Sequence, residues 1–156
     1  MDTVVINGGS PMKILQRAIS LAKEGAMKRG PYVFKALLLD SDKLAESPKG
    51  AEKEKIEIDH LAKNHGLLLI WQEPCHEGFL LQHLADCHGL RPPNCKEAHA
   101  MLLKQWPDYT KPMQVSALTR RIGLGELRAF VQQEGPLGIF LEKLGFEIHH
   151  DPPSRS

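Results

Sequence analysis

Two short apolar runs, Ala36–Leu39 and Leu67–Trp71, decide the fold class of this sequence. Each is too short for a buried helix and is bounded by turn-forming or polar residues, which is the pattern of a strand. The first belongs to a longer stretch, Tyr32–Leu39, that is aromatic and then continuously aliphatic. Such a run, with little alternation, predicts a strand covered on both faces, as in a parallel sheet. The connection between the two runs is longer than the roughly dozen residues a parallel crossover needs, so parallel pairing follows.

The flanking sequence extends this pattern. Thr3–Asn7 is β-branched and ends in Gly8-Gly9, which predicts a further strand closed by a tight turn. Ser10-Pro11 opens a helix in which Ile14, Leu15, Ala18, Ile19, Ala22 and Ala26 recur at helical spacing. Lys43–Lys55 is polar, contains Pro48 and Gly50, and is expected to be a flexible loop. A helix follows to about His65, with Ile58, Leu61 and Ala62 facing inward. After Pro74, residues Phe79, Leu80, His83, Leu84 and Cys87 predict one amphipathic helix, and Cys95–Gln105 a second. Val115–Glu134, broken near Gly123-Leu124-Gly125, and Pro136–Leu144 predict two more. The expected architecture is α/β: a Toprim- or Rossmann-like parallel sheet of about three or four strands flanked by helices, with a helical C-terminal extension. Residues 1–90 would form the core, 91–148 the extension of the same domain, and 149–156 a disordered tail.

Composition narrows the function classes. The chain has 156 residues, 42% of them apolar and 25% charged, with a formal net charge of +1. That length suits one core, and the balance gives no long-range field toward nucleic acid or membrane, so such binding needs a local patch. Both apolar runs are far shorter than the roughly 20 residues of a membrane-spanning helix. Cys75, Cys87 and Cys95 form no C-x-x-C pair, and no signal-peptide pattern precedes them; together these features point to thiols in a reducing cytoplasm.

Ligands of open parallel sheets bind beyond the carboxyl ends of the strands. Asp40-Ser41-Asp42 stands at one such end and Glu73–Glu77 at another. Two aspartates two residues apart can share a cation, and hard carboxylate oxygens favour Mg²⁺ or Mn²⁺ over zinc. Aspartates also end buried strands simply as turn formers. Glu77, in the first turn of the helix after Pro74, is stabilised by the helix dipole and is aimed toward the expected strand ends.

The stretch Pro74-Cys75-His76-Glu77-Gly78-Phe79-Leu80-Leu81-Gln82-His83-Leu84 resembles the signature of the RloB-like family: proline, cysteine, aromatic, glutamate, a second aromatic, leucines, then histidine. His76 replaces the first aromatic, and Glu73 stands where asparagine is usual. The aspartate pair and Pro107-Asp108-Tyr109-Thr110-Lys111 also fit, so the resemblance spans about Val4 to Lys111.

The resemblance implies a Toprim-type domain that cleaves nucleic-acid phosphodiesters with Mg²⁺ (or Mn²⁺), in restriction or anti-phage defence, often beside an ATPase partner. Asp40 and Asp42 would then be metal ligands, Glu77 an additional catalytic carboxylate, and His83 and Lys111 supporting residues. The family's first strand, which ends in glutamate–glycine, is absent, and Asn7 cannot serve as its acid/base. Either the chain is a fragment or short form of a longer protein, or the glutamate is lost. Another segment or a second copy of the chain would then fill the gap in the sheet, which makes a homo-oligomer an expectation.

Other constellations are weaker. Cys87, His88, Cys95 and His99 match none of the common zinc spacings. Neighbours Cys75 and His76 point about 100° apart on a helix and are poorly placed to share a proton. Gly8-Gly9-Ser10-Pro11 lacks a full nucleotide fingerprint. Arg120, Arg121 and Arg128 make the C-terminal third locally basic and are the first candidates for nucleic-acid contact. Two classes of function stay open: a metal-dependent nuclease, and a non-catalytic interaction module that keeps the fold and binds a partner ATPase or nucleic acid.

Overall fold

The computed structural model describes residues 3–6, 8–44, 48–111, 113–123 and 135–146. The chain divides into two compact units, Met1–Cys75 and His76–Ser156. Of the expected features, the tail 149–156, Arg128 and the helical stretch beyond Gly123 up to residue 134 lie outside the described residues.

In the first unit, helix α1 (Pro11–Arg29) precedes strand β1 (Ala36–Asp40), and helix α2 (Pro48–Asn64) leads into strand β2 (Leu68–Gln72). β1 and β2 pair in parallel, with Ala36 opposite Leu68 and Asp40 opposite Gln72. The mixed α/β class and the parallel pairing follow the sequence reading. The sheet, however, has two strands among the described residues, not three or four. Thr3–Ile6 is not paired into it, and Val4 and Val5 are 63% and 78% exposed. β-branched composition favours a strand only where a ladder and an apolar surface receive it. Here Val4–Ile6 runs beside Lys13, Arg17 and Leu21 of α1 instead.

Alternation explains the core. Leu37 and Leu39 on β1, with Leu69 and Trp71 on β2, turn toward Leu15 and Ile19 of α1 and Ile58 and Ala62 of α2. On the opposite face Ile70 is buried, whereas Leu38 is 45% exposed, so β1 is not covered on both sides along its whole length.

The polar stretch expected as a loop is helical from Pro48 onward. Proline is compatible with a first helical turn, and Lys53 pairs with Glu57 one turn on at 3.9 Å. Gly66 closes α2 with φ +61°, and the Leu67 amide donates to Ala62 O (2.9 Å) and the Gly66 amide to Lys63 O (3.0 Å). The Lys35 ammonium donates to His65 O at 2.7 Å, a cation on the negative end of the helix. The Leu68 amide donates to Lys35 O at 2.9 Å, which starts the ladder at that point.

The second unit is helical: α3 (His76–Gln82), α4 (Cys95–Gln105), α5 (Val115–Arg121) and α6 (Pro136–Lys143). α4 has the expected bounds and opens on a reciprocal cap: the Asn94 side-chain Oδ1 accepts from the Glu97 backbone amide, and the Asn94 Nδ2 donates to the Glu97 carboxylate, both at 2.9 Å. α3 stops at Gln82, short of the Cys87 expected from periodicity. In a continuing helix the His83 amide would donate to Phe79 O. That acceptor is instead taken by the His83 ring at 2.7 Å, and the His83 amide turns to Leu80 O at 3.0 Å. Leu84 and Cys87 still reach the core, with Leu80, Leu81, Leu102, Trp106 and Tyr109.

Ile58 is fully buried and Ile56, two residues earlier on α2, is 62% exposed. Ile58→Ala should therefore cost about 2–5 kcal/mol of unfolding free energy, whereas Ile56→Ala should cost no more than about 0.5 kcal/mol. Urea titration of the two variants checks the contrast.

Candidate functional site

The first candidate group sits where β1 ends. Asp40 closes the strand opposite Gln72 and is half-buried, with its Oδ1 out of contact with solvent. A single 3-10 turn, Ser41–Lys43, follows and carries the exposed Asp42. The turn is fixed from the other strand's exit: the Asp42 amide and the Ser41 hydroxyl both donate to Pro74 O, at 2.9 and 3.3 Å. Parallel pairing makes this possible, because both strands leave the sheet on the same side.

Glu73 belongs to a separate surface network. Its carboxylate meets the Lys55 ammonium at 2.7 Å, Lys55 lies 5.2 Å from the centre of the Trp71 ring, and the Trp71 indole donates to Asp59 at 3.0 Å. Glu73 and Asp59 are exposed and Lys55 and Trp71 partly so, so the network orients side chains more than it stabilises the fold. Nothing in the local sequence around Lys55 marks this pairing, which depends on the crossover.

The second group lies in the helical unit. Glu77, in the first turn of α3, is buried. The Tyr109 hydroxyl donates to its Oε1 at 3.1 Å, and the Lys111 ammonium forms an ion pair with the same oxygen. Hydrogen bonds to a charged group are worth roughly 1.5–3 kcal/mol each, and burial of the carboxylate requires such partners. Tyr109 is itself buried, beside the Trp106 ring at 5.9 Å and the His99 ring at 6.0 Å. The first turn of α3, at Glu77, and the segment after α4, at Tyr109 and Lys111, thus meet in one contact. Asp40 and Asp42 share a turn of the first unit, and Glu77 is engaged within the second.

His83 is buried, with its ring 4.5 Å from that of Phe79. Its Nδ1 carries the proton donated to Phe79 O, since a carbonyl can only accept. Burial pushes its pKa below the usual histidine value of 6.5; the Phe79 carbonyl opposes this and His88 adds to it. Burial raises the pKa of the Cys87 thiol, helped by Asp86 and opposed by Arg121, which favours its protonated form in the core. Arg121 donates to Gln105 O, and the Arg120 Nε donates to Ser116 O at 3.0 Å, so both are held to backbone along part of their guanidinium.

Asp40 and Asp42, separated by Ser41, carry the hard oxygen donors that Mg²⁺ takes while keeping several of its waters, one Asp40 oxygen being buried and Asp42 exposed. No cluster of three or more His, Cys, Asp or Glu side chains suited to a metal ion occurs among the described residues. No protein-family model, no curated protein and no solved structure matches this chain.

A histidine whose folded-state pKa is lowered binds its proton more readily when unfolded. Unfolding free energy should hence be level above about pH 7 and fall as pH drops through the unfolded-state value, by at most about 1.4 kcal/mol per pH unit per proton. Denaturant titrations between pH 7 and 5.5 should give a shallower fall for His83→Gln than for wild type. Equal slopes would assign the acid sensitivity elsewhere.

Proposed function

We propose that the chain is a Toprim-type protein of the RloB-like kind that acts on nucleic-acid phosphodiesters with Mg²⁺ or Mn²⁺, in the cytoplasm, as part of defence against foreign DNA. The observation that carries this reading is the turn after β1, which places Asp40 at the carboxyl end of a parallel strand and Asp42 two residues on, with the Asp42 amide and the Ser41 hydroxyl bonded to Pro74 O. Asp40 and Asp42 would hold the ion, which when bound polarises a phosphoryl oxygen as a Lewis acid. The chain's own part would be to hold the backbone that carries both carboxylates. The strand fixes Asp40, and the Asp42 amide bond to Pro74 O fixes the turn. In this reading the two-stranded sheet is the central part of a larger one, completed by a further segment or by a second copy of the chain.

A second reading is favoured by the environment of Glu77. That carboxylate is engaged by Tyr109 and Lys111 inside its own unit, which is the use expected of a structural residue. The chain would then be a non-catalytic module that keeps the fold and binds a partner ATPase or nucleic acid. In both readings Glu77 holds its unit together; in the first, catalysis rests on the aspartates.

Nuclease assays with Mg²⁺ or Mn²⁺ on DNA and RNA separate the two readings. The first predicts cleavage by wild type and a loss of about 100-fold or more for Asp40→Ala and Asp42→Ala, the scale on which loss of a key charge-stabilising group acts. Cleavage that survives both substitutions, or none by wild type, removes the catalytic reading.

A further inference from the structure

α1 concentrates the positive charge of a nearly neutral chain. It carries Lys13, Arg17, Lys23, Lys28 and Arg29 against Glu24 alone, with no acidic residue in its first turn. α2 is balanced by comparison, with Lys49, Lys53, Lys55 and Lys63 facing four carboxylates. At about 100° per residue, Lys13, Arg17, Glu24 and Lys28 fall within roughly 60° of one another. All four are exposed, and the buried Pro11, Leu15, Ile19 and Gly25 lie on the other side of the helix. Lys13, Arg17 and Lys28 form no ion pair among the described residues.

Beside this row the segment Val4–Ile6 makes a shallow groove with Lys13, Arg17 and Leu21. Its lining sets the apolar Val4, Val5, Ile6 and Leu21 beside the cationic Lys13 and Arg17, a pairing that suits a polymer with a charged backbone and apolar sugar and base edges. From Lys13 to Lys28 the row runs roughly 22 Å at ~1.5 Å per residue. That length faces about six phosphates of one strand at ~3.4 Å per step. An anionic membrane fits less well, because the apolar face that would enter lipid is committed to the core.

We infer that the solvent face of α1, with the Val4–Ile6 groove, is a nucleic-acid backbone contact. The choice of polymer rests on the phosphodiester reading above; the surface itself rests on the placement of charge. It is distinct from Arg120 and Arg121, whose guanidinium groups are tied to backbone carbonyls.

The test measures binding of labelled 20-nucleotide single-stranded and duplex DNA by fluorescence anisotropy, without divalent ions, from low to moderate salt. The full chain carrying Asp40→Asn and Asp42→Asn serves as parent, so that binding is read independently of cleavage. Lys13→Glu, Arg17→Glu and Lys28→Glu together should weaken binding at least tenfold. They should also reduce the slope of log affinity against log salt by about two to three, at ~0.7–0.9 per lost phosphate contact. The same change of charge on α2, with Lys49→Glu, Lys53→Glu and Lys63→Glu, should leave most of the affinity in place. An equal loss from the α2 set, no loss from the α1 set, no binding by the parent, or α1-dependent binding to anionic phospholipid vesicles alone would overturn the inference. Binding that depends on α1 in a chain that never cleaves would support it while removing the catalytic reading.

Discussion

The parallel ladder between Ala36–Asp40 and Leu68–Gln72 is the constraint from which the first unit follows. Parallel strands cannot be joined by a hairpin, so the chain must cross back through a helix, and α2 is that helix. The same pairing brings both strand exits to one side, where Pro74 O receives the Asp42 amide. An antiparallel arrangement of the same two runs would separate Asp42 from Pro74 and dissolve the turn. The geometry of the aspartates is therefore a consequence of strand direction more than of their immediate sequence.

The second unit has its own central contact. A buried carboxylate is costly unless it is paired, and Glu77 obtains Tyr109 and Lys111 from the segment that follows α4. This draws the chain after Trp106 back onto the first turn of α3, beside a core of Leu81, Leu102 and Trp106. His83 serves the same end differently, giving its ring proton to the backbone and ending the helix where it does so. Polar side chains that a site-centred view sets aside for chemistry thus also do the structural work of a short helical unit.

Much of this was legible in the sequence because it depends on local rules. The apolar runs mark both strands, the Asn94–Glu97 spacing marks the start of α4, and Ile58 and Ala62 mark the inward face of α2. Thr3–Ile6 misleads because β-branching reports a preference that only a neighbouring strand can satisfy. Lys49–Lys55 misleads because Pro48 and Gly50 are turn residues in isolation and tolerable ones in a first helical turn. The early end of α3 is invisible to periodicity, since it comes from a side-chain hydrogen bond. At the site, the aspartate pair could be found from its position after an apolar run. Its brace at Pro74, and the joining of Glu77 to Tyr109 and Lys111, involve residues roughly thirty positions apart and have no short-range signal. The basic row on α1 was readable from spacing but was hidden by a total charge of only +1.

Phosphodiester chemistry on this chain requires that Asp40 and Asp42 bind a divalent cation. Amide NMR spectra recorded during addition of Mn²⁺ at well below one equivalent address this directly, because the paramagnetic ion broadens signals around its site. The expected result is selective loss of the Asp40, Ser41 and Asp42 amide signals, displaced by excess Mg²⁺ and absent from the Asp40→Asn, Asp42→Asn chain. Broadening that centres elsewhere, or that persists unchanged in the double variant, would contradict the account.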